Sequence, residues 1–287
     1  MNIPIYWSKA PCSARDRRGQ PRTFSVWGWS SSSLQDAQDR AAARAASIAT
    51  AAAQARDLQD YEYGQGPLRE EIVEHIGDAQ APTAVITRNR YGALVLNSAR
   101  VLFVDVDFLP SPPAGFLDAL VSIFSSRRRA ARREAGAAAA IEQIERWATA
   151  NPARSFRLYR TCEGLRLLFT DRLYDPAAAE TTALLQQLNA DPMYVKLTQR
   201  QQCFRARLTA KPWRCGCSRP PNAFPWSTPD AERTFRQWQD RYTQLDSGFR
   251  ACQLHQQYGR PAGIPELAAI LEAHDRGAKI TSTAPLA

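Results

Sequence analysis

The amino-acid sequence predicts an α+β protein in which a mainly antiparallel sheet is packed by helices. The chain has 287 residues, of which 44% are hydrophobic, so it can bury a substantial core as one large domain or two modest ones. Apolar, β-branched runs with short turns follow one another closely between residues 84 and 108, which is the pattern of neighbouring strands. Alanine-rich segments without proline lie on both sides of these runs and predict helices.

Charge and cysteine content narrow the class of protein. The net charge is +9, and arginine supplies nearly all of the excess, so nucleic acid or a nucleotide is a candidate partner. The six cysteines are scattered through a chain too large to need disulfides, which favours free thiols in a reducing compartment. No apolar run reaches membrane length, and the N-terminal residues soon become polar and basic. We therefore expect a soluble cytoplasmic protein with no signal peptide and no membrane partner.

The N-terminal region, residues 1–80, is predicted to contain a strand followed by helices. The run RTFSVWGWS is typical of a strand. Serines at positions 30–33 offer N-caps for one long alanine-rich helix that extends to Asp60. A shorter helix is predicted to begin at Pro67, and the turn-rich run DAQAPT marks the end of the region.

The central region, residues 81–225, carries most of the predicted strands. A proline-rich loop and a helix follow the first strands. An arginine cluster at positions 127–133 then leads into a second helix, and it is interpreted as a solvated helix face, with phosphate binding as the alternative. The segment SFRLYRTCEGLRLLFTD predicts a hairpin around a glycine-containing turn. A helix over PAAAETTALLQQLNA and a basic extended segment from Asp191 to Trp213 come next. Residues 226–287 are predicted to form a mostly helical C-terminal region.

One predicted strand, VLFVDVDF, is apolar enough to be buried and yet carries two carboxylates, Asp105 and Asp107. Because alternate residues of a strand point to the same side, the two carboxylates share a face and can converge on one divalent cation. Mg²⁺ or Mn²⁺ with a phosphate ligand would supply the positive charge that two buried anions require. The alternative is a strand end whose acids face solvent or pair with nearby arginines.

Three segments of the central region, taken in order, resemble the motifs of the archaeo-eukaryotic primase superfamily, most closely its primase-polymerase branch. They are VLFVDVDF, RLYRTCEGLRLLF and DPMYVKLTQRQQCFRARLTAKPW, and the resemblance covers residues 84–213. In that family an Asp-x-Asp strand is followed by a strand with a histidine before an apolar run, and then by an acid ahead of a basic extended segment. The resemblance implies a palm of the RNA-recognition-motif type within residues 81–225.

Carried over residue by residue, the resemblance implies a metal site and a nucleotide site. Asp105, Asp107 and Asp191 correspond to the catalytic, metal-binding carboxylates, and Asp171 or Asp175 are alternatives for the third. The basic residues that would contact nucleotide phosphates are Arg160, Arg166, Arg200, Arg205 and Lys211.

One departure from the family pattern concerns Arg166, which stands where the family has a nucleotide-binding histidine. Arginine can hold a triphosphate through two hydrogen bonds, so nucleotide binding can survive this replacement of histidine. The replacement is instead expected to affect catalytic competence or nucleotide preference. For base stacking the segment offers Tyr91, Tyr159 and Tyr194, although a tyrosine inside a strand is most often a core residue.

The implied function is template-dependent nucleotidyl transfer by a DNA primase or primase-polymerase used in DNA replication or repair. Its cofactor would be Mg²⁺ or Mn²⁺, with two metal ions held by carboxylates. Its partners would be a single-stranded DNA template, nucleoside triphosphates and the replication proteins of a plasmid, phage or integrated element.

Two other functions fit the same residues. A divalent-metal nuclease would use the same acids and basic surface, but would cut nucleic acid instead of consuming nucleoside triphosphate. A catalytically inactive nucleic-acid-binding module would keep the fold and the basic face, and its DNA binding would depend on salt and ignore metal. A zinc site built from Cys203, Cys215, Cys217 and His255 is disfavoured, because the spacing lacks paired Cys-x-x-Cys motifs.

Overall fold

The computed structural model describes residues 1, 3–15, 20–53, 66–78, 82–108 and 126–287. Within these residues it contains three antiparallel sheets and six helices, so the predicted α+β class is confirmed. None of these helices combines the length and the apolar content that crossing a membrane requires.

The first sheet is a two-stranded hairpin that packs on a helix. Strands β1 (Tyr6–Arg15) and β2 (Pro21–Ser30) pair in antiparallel register, and helix α1 (Leu34–Ala53) contacts both strands. The Ser33 hydroxyl accepts a hydrogen bond from the Asp36 amide at 3.1 Å, so a serine caps the start of the helix. The last part of the long helix predicted up to residue 60 lies outside the described residues.

The second sheet has four strands in the order β3-β4-β5-β9. These strands are β3 (Glu71–Gly77), β4 (Pro82–Arg88), β5 (Leu94–Ser98) and β9 (Phe204–Arg207). The prediction of a helix that begins at Pro67 is wrong, because residues 71–77 of that segment form strand β3. The β-branched residues Ile72, Val73 and Ile76 suit a strand, and pairing with β4 satisfies the backbone, which outweighs the helix propensity of the neighbouring glutamates.

The third sheet also has four strands, in the order β10-β7-β8-β6. These strands are β6 (Phe103–Asp107), β7 (Phe156–Thr161), β8 (Gly164–Phe169) and β10 (Cys252–Tyr258). The predicted hairpin is confirmed as β7 and β8, which pair in antiparallel register. The C-terminal region, predicted to be mostly helical, also supplies the edge strand β10. Its pairing with β7 is long-range, so a local sequence pattern does not reveal it.

The five remaining helices surround the two larger sheets. They are α2 (Ser126–Ala150), α3 (Ala179–Gln187), α4 (Pro192–Gln201), α5 (Pro229–Asp246) and α6 (Pro265–Gly277). Helix α4 corrects the prediction of extended structure directly after Asp191. Asp191 is the N-cap of this helix and Pro192 lies in its first turn, which is a local helix-start signal. The helix predicted within residues 109–125 and the side chains of the arginine cluster lie outside the described residues.

The two four-stranded sheets share one hydrophobic core. Leu96 and Phe204 contribute from the second sheet, Phe103 and Leu167 from the third, and Ile270 from helix α6, and all five are fully buried. Strand β6 of the third sheet thereby comes to lie against strand β9 of the second sheet. This packing brings β6, β8 and β9 together at the candidate site.

Candidate functional site

A cleft of about 220 Å³ lies where strands β6, β8 and β9 approach the start of helix α4. Its charged lining residues are Asp105, Asp107, Glu163, Asp191, Arg166, Arg207, Lys211 and Arg214. The cleft therefore contains the three acids of the predicted metal site, and it combines carboxylates with cations.

Backbone geometry brings the three acids together. Asp105 and Asp107 are alternate residues of strand β6 and point to the same face of the sheet. The Asp191 amide donates to the Asp105 carbonyl at 3.2 Å, which fixes the start of helix α4 against the strand. The Asp191 carboxylate also accepts a hydrogen bond from the Met193 amide at 3.0 Å, so it caps the helix while it lines the cleft.

Asp105 is engaged by an arginine. It lies directly opposite Arg166 in the register of β6 and β8, with Nε to Oδ1 at 2.8 Å and Nη2 to Oδ2 at 3.3 Å. The same guanidinium donates to the Arg207 carbonyl at 2.8 Å. Burial acts most strongly on Arg166 and disfavours its charged form, but the charge and hydrogen bonds of Asp105, together with Cys252 and Tyr194, raise its pKa above the ordinary value. Asp105 therefore pairs with a nearby arginine, which is the alternative that the sequence left open.

Asp107 faces the more open part of the cleft. Its partner in the register is Gly164, where a Cβ atom would lie 2.3 Å from the Val106 carbonyl oxygen, so only glycine fits against the strand there. Burial, and then the nearby carboxylates of Asp191 and Asp105, raise the pKa of Asp107 above its ordinary value, while Lys211 acts in the opposite direction. Asp107 thus lies close to other carboxylates, and a cation bound beside it would relieve their repulsion.

Two of the cations lie at the ends of one short 3₁₀ turn. Lys211 precedes and Arg214 ends the turn Pro212–Arg214, and residues three apart in such a turn lie on the same side. Arg214 also makes an ion pair with Glu163, on the hairpin loop between β7 and β8. The spacing Lys-Pro-x-Arg is therefore a signal that could have identified Arg214 from the sequence.

Arg207 is the second functional candidate that the sequence did not identify. It lies on strand β9, and its guanidinium donates to the Thr209 carbonyl at 2.7 Å. Burial and the neighbouring charge of Arg166 lower its pKa below the ordinary value. Its place in the cleft depends on the packing of β9 against β6, which no local pattern reveals.

Three of the predicted nucleotide contacts lie outside the cleft. Arg160 pairs with Glu134 of helix α2, on the opposite face of the third sheet. Arg205 makes contacts of 2.8 Å with both carboxylate oxygens of Glu70. Arg200 is exposed on helix α4 and does not line the cleft. Of the five predicted basic residues, only Arg166 and Lys211 are in the cleft, and Arg166 is held by Asp105.

The alternative third acids also have other partners. Asp171 pairs with Arg154 at 3.2 Å and accepts the Tyr174 hydroxyl hydrogen at 2.7 Å. Asp175 accepts a hydrogen bond from the Ala177 amide at 2.8 Å. Neither carboxylate lines the cleft, so Asp191 is the acid that the fold brings to Asp105 and Asp107.

The three tyrosines considered for base stacking have different surroundings. The buried Tyr159 donates to Asp275 at 2.7 Å, and Tyr194 donates to the Phe103 carbonyl at 2.9 Å, so both hydroxyls support the fold. Tyr91 instead lies at the surface beside Trp213. Of the three tyrosines, only Tyr91 has a ring placed where a base could stack on it.

The donor chemistry of the cleft suits Mg²⁺ or Mn²⁺, because carboxylate oxygens are the ligands that these ions prefer. The Asp105 oxygens contact Arg166, and Glu163 pairs with Arg214, so the carboxylates that remain are those of Asp107 and Asp191. Across the part of the chain that the structure describes, no three carboxylate, histidine or cysteine side chains are arranged to hold a metal ion. The cleft therefore fits a cation between two carboxylates, and a preformed three-carboxylate site is not present in that part.

The cysteines considered for zinc lie in apolar surroundings. Cys215 and Cys217 belong to a hydrophobic cluster with Phe235, and the Cys215 thiol donates to the Pro212 carbonyl at 3.2 Å. Burial raises the pKa of the Cys203 thiol to about 11, which disfavours the thiolate that zinc requires. These thiols act as small apolar side chains.

The function of the cleft has to be inferred from its own chemistry. It combines the carboxylates of Asp107 and Asp191, which form no ion pair within the described residues, with two cations on one turn, Lys211 and Arg214. No family model, no curated protein and no solved structure matches the chain.

Proposed function

We propose that this chain is a template-dependent nucleotidyl transferase of the primase-polymerase kind, which joins nucleotides along a single-stranded DNA template. The observation that carries the proposal is the meeting of Asp107 and Asp191 with Lys211 and Arg214 in one cleft. Asp107 and Lys211 belong to different motifs of the resemblance, so their convergence supports it.

The sheet β10-β7-β8-β6 is the part that we propose as a palm of the RNA-recognition-motif type. It is four-stranded and antiparallel, and it carries both Asp105 and Asp107 on its edge strand. Helix α2 covers one face through Trp147 against Phe156. Helix α6 covers the other face through the contact of Asp275 with Tyr159. An edge strand leaves room beside the acids for a substrate.

In the proposed reaction the 3′-hydroxyl oxygen of the growing strand attacks the α-phosphorus of a nucleoside triphosphate. The bond from that phosphorus to the oxygen shared with the β-phosphorus breaks, pyrophosphate leaves, and the proton of the attacking hydroxyl passes to solvent water. Lys211 and Arg214 would contact the phosphate oxygens, where charge-assisted hydrogen bonds are strong. A volume of about 220 Å³ is below the roughly 300–1,000 Å³ of sites that enclose a whole small molecule. The cleft would therefore take the phosphates, and the base would lie outside it.

Asp107 and Asp191 would hold the divalent cation of this site. Bound there, Mg²⁺ or Mn²⁺ would lower the pKa of the attacking hydroxyl and offset the charge of the leaving pyrophosphate. Asp105 would join only after Arg166 released it. Until then Arg166 and Asp105 form a neutral ion pair in the wall of the cleft.

The test is nucleotide incorporation on a single-stranded DNA template with Mg²⁺ or Mn²⁺. Wild type is compared with Asp107→Asn and with Asp240→Asn, an exposed acid on helix α5 outside the cleft. We expect metal-dependent product from wild type and Asp240→Asn, and a loss of about a hundredfold or more in Asp107→Asn. Equal product from Asp107→Asn would contradict the proposal. Cutting of the template without any use of triphosphate would indicate the nuclease instead.

Asp107 is a better target for this test than Asp105. Arg166 is buried against Asp105, so removing Asp105 leaves a buried charge without its partner and costs about 3 kcal/mol of stability. Loss of activity in an Asp105 variant would therefore not separate chemistry from folding.

One observation favours a second candidate, the inactive nucleic-acid-binding module. The pairing of Asp105 with Arg166 neutralises an acid that the family-like chemistry would use. If this candidate is correct, DNA binding will be salt-sensitive, will ignore Mg²⁺ and Mn²⁺, and will be the same in Asp107→Asn, and no variant will incorporate nucleotide.

A further inference from the structure

An aromatic pair, the exposed Trp213 and the partly buried Tyr91, lies next to the cleft. Trp213 is 45% exposed, although a large aromatic side chain is usually buried. Its ring contacts Tyr91 edge to face, with ring centroids 5.4 Å apart and planes at 89°. Trp213 is the middle residue of the turn Pro212–Arg214, whose neighbours Lys211 and Arg214 line the cleft. We call Trp213 and Tyr91 together the aromatic platform.

The Tyr91 side of the platform is fixed by a tight turn between β4 and β5. The Asn89 side chain accepts hydrogen bonds from the amides of Tyr91 at 3.0 Å and Ala93 at 3.1 Å. Gly92 has φ +85°, and a Cβ atom there would lie 2.1 Å from the Trp238 ring, so the turn packs closely on helix α5. Tyr91 thus has little backbone freedom to lose on binding.

The Trp213 side is fixed in the same way. Pro212 is buried, and its carbonyl accepts hydrogen bonds from the amides of Cys215 at 3.1 Å and Cys217 at 2.8 Å. The backbone that carries Trp213 is therefore anchored in the apolar cluster under it, while the indole faces solvent. A rigid exposed aromatic ring is suited to stacking, because little entropy is lost when a partner binds.

Three cations surround the platform. Arg219 lies 5.4 Å and Lys211 lies 5.8 Å from the Trp213 ring centroid, and Arg90 lies 4.7 Å from that of Tyr91. None of the three forms an ion pair with a carboxylate anywhere in the described ranges. A hydrogen bond from Arg90 and the charges of Arg219 and Lys211 lower the pKa of Tyr91, which reflects this positive potential. The surface therefore combines ring faces with positive charge that forms no ion pair within the described residues.

We propose that the aromatic platform binds single-stranded nucleic acid by stacking a base on Trp213, with the adjoining phosphates on Arg90, Arg219 and Lys211. Stacking combined with a basic surface is the general means of binding single strands without reading their sequence. The proposal rests on the proposed function in one respect, since it supplies a place outside the small cleft for the strand on which that function acts. Lys211 belongs to both sites, so a base on Trp213 lies beside the phosphates held in the cleft.

The experiment compares two fluorescein-labelled single strands of about ten nucleotides, oligodeoxythymidylate and an abasic strand of the same length and charge. Fluorescence anisotropy is measured without nucleotide and without metal. We expect wild type to bind the base-containing strand about tenfold more tightly than the abasic strand. Trp213→Ala should lose that preference while keeping the salt dependence, because the phosphate contacts remain. Trp213→Phe should keep part of the preference.

The matched control is Phe24→Ala, which removes an exposed aromatic side chain on strand β2 and should bind like wild type. The platform is wrong if wild type does not prefer the base-containing strand, or if Trp213→Ala keeps the full preference. If wild type prefers the base-containing strand but incorporates no nucleotide, the platform is supported and the proposed nucleotidyl transfer is wrong. If wild type incorporates nucleotide and Trp213→Ala keeps the full preference for bases, the nucleotidyl transfer is supported and the platform is wrong.

Discussion

Arg166 and Asp105 form an ion pair at directly opposite positions of strands β8 and β6, with Nε to Oδ1 at 2.8 Å. Arg166 is 3% exposed and Asp105 is 35% exposed, so the pair spans the wall between the core and the cleft. A guanidinium is effectively always protonated in a protein, which makes Arg166 a permanent cation. The pair is therefore neutral as a whole, and removing either partner leaves the other without its counter-ion.

We predict strong energetic coupling between Asp105 and Arg166. Asp105→Asn and Arg166→Gln should each lower the free energy of unfolding by about 2–3 kcal/mol, because each leaves a poorly solvated group without its partner. The double variant should lose less than the two single losses added together, with a coupling energy of about 1–3 kcal/mol. Urea unfolding of the four proteins measures this energy.

The matched control is the pair of Arg160 and Glu134, on the other face of the same sheet. Their side chains are 32% and 67% exposed, so water screens the pair and its coupling energy should be much smaller than that of the cleft pair. Equal coupling energies for the Asp105–Arg166 pair and the Arg160–Glu134 pair would mean that the cleft pair has no special role in stability.

The pH dependence of stability should reveal the charge on Asp107. Burial and the neighbouring carboxylates raise its pKa in the folded protein above the unfolded value of 3.8, so the folded state holds the proton to higher pH. The stability from this proton is greatest below pH 3.8 and is lost as the pH rises through the folded pKa. Asp107→Asn should therefore be more stable than wild type at neutral pH, and the difference should shrink towards pH 3.8. Urea unfolding at several pH values, with Asp240→Asn as control, tests the sign.

Divalent cations should stabilise the wild type through Asp107. A cation at about ten times its Kd adds about 1.4 kcal/mol to the free energy of unfolding, which corresponds to a rise of about 3–6 °C in Tm. Asp107→Asn should show a much smaller rise, and Asp240→Asn should respond like wild type. Differential scanning fluorimetry with Mg²⁺ or Mn²⁺ gives the result. An equal rise in all three proteins would mean that the cation binds elsewhere.

Asp191 should show separate structural and chemical roles. Asn is as good an N-cap as Asp, so Asp191→Asn should keep the cap of helix α4 and leave the free energy of unfolding nearly unchanged. Asp191→Ala should lose about 1 kcal/mol, because the Met193 amide loses its acceptor. Both variants should lose the stabilisation by cations and the incorporation of nucleotide. An active Asp191→Asn would leave the residue as a helix cap alone.

Much of the site follows from local patterns in the sequence. The period of two residues along a strand puts Asp105 and Asp107 on one face, and the TCEG turn predicts the hairpin whose glycine leaves space beside Asp107. The same reasoning could not separate Arg166 from Arg160. Arg166 and Arg160 lie on opposite faces of the sheet. The surroundings of the two faces differ because helix α6 packs on one face and helix α2 on the other.

The places where sequence reasoning failed have a common cause. Residues 71–77 carry glutamates that favour a helix, yet they form a strand, because pairing with β4 and burial of Ile76 supply more than local propensity does. The helix that follows Asp191 did have a local signal, the Asp-Pro start. Strand β10 had none, because its partner β7 lies far away in the sequence.

The sequence by itself determined the α+β class, the closely spaced strands, the hairpin and the pair of acids on one face, because each depends on residues that are neighbours along the chain. Tertiary structure alone decided that Arg166 neutralises Asp105, that Arg207 joins the cleft while Arg160 and Arg205 do not, and that Trp213 is exposed beside Tyr91. These outcomes depend on strand register and on the packing of two sheets, which are set by long-range burial of apolar surface.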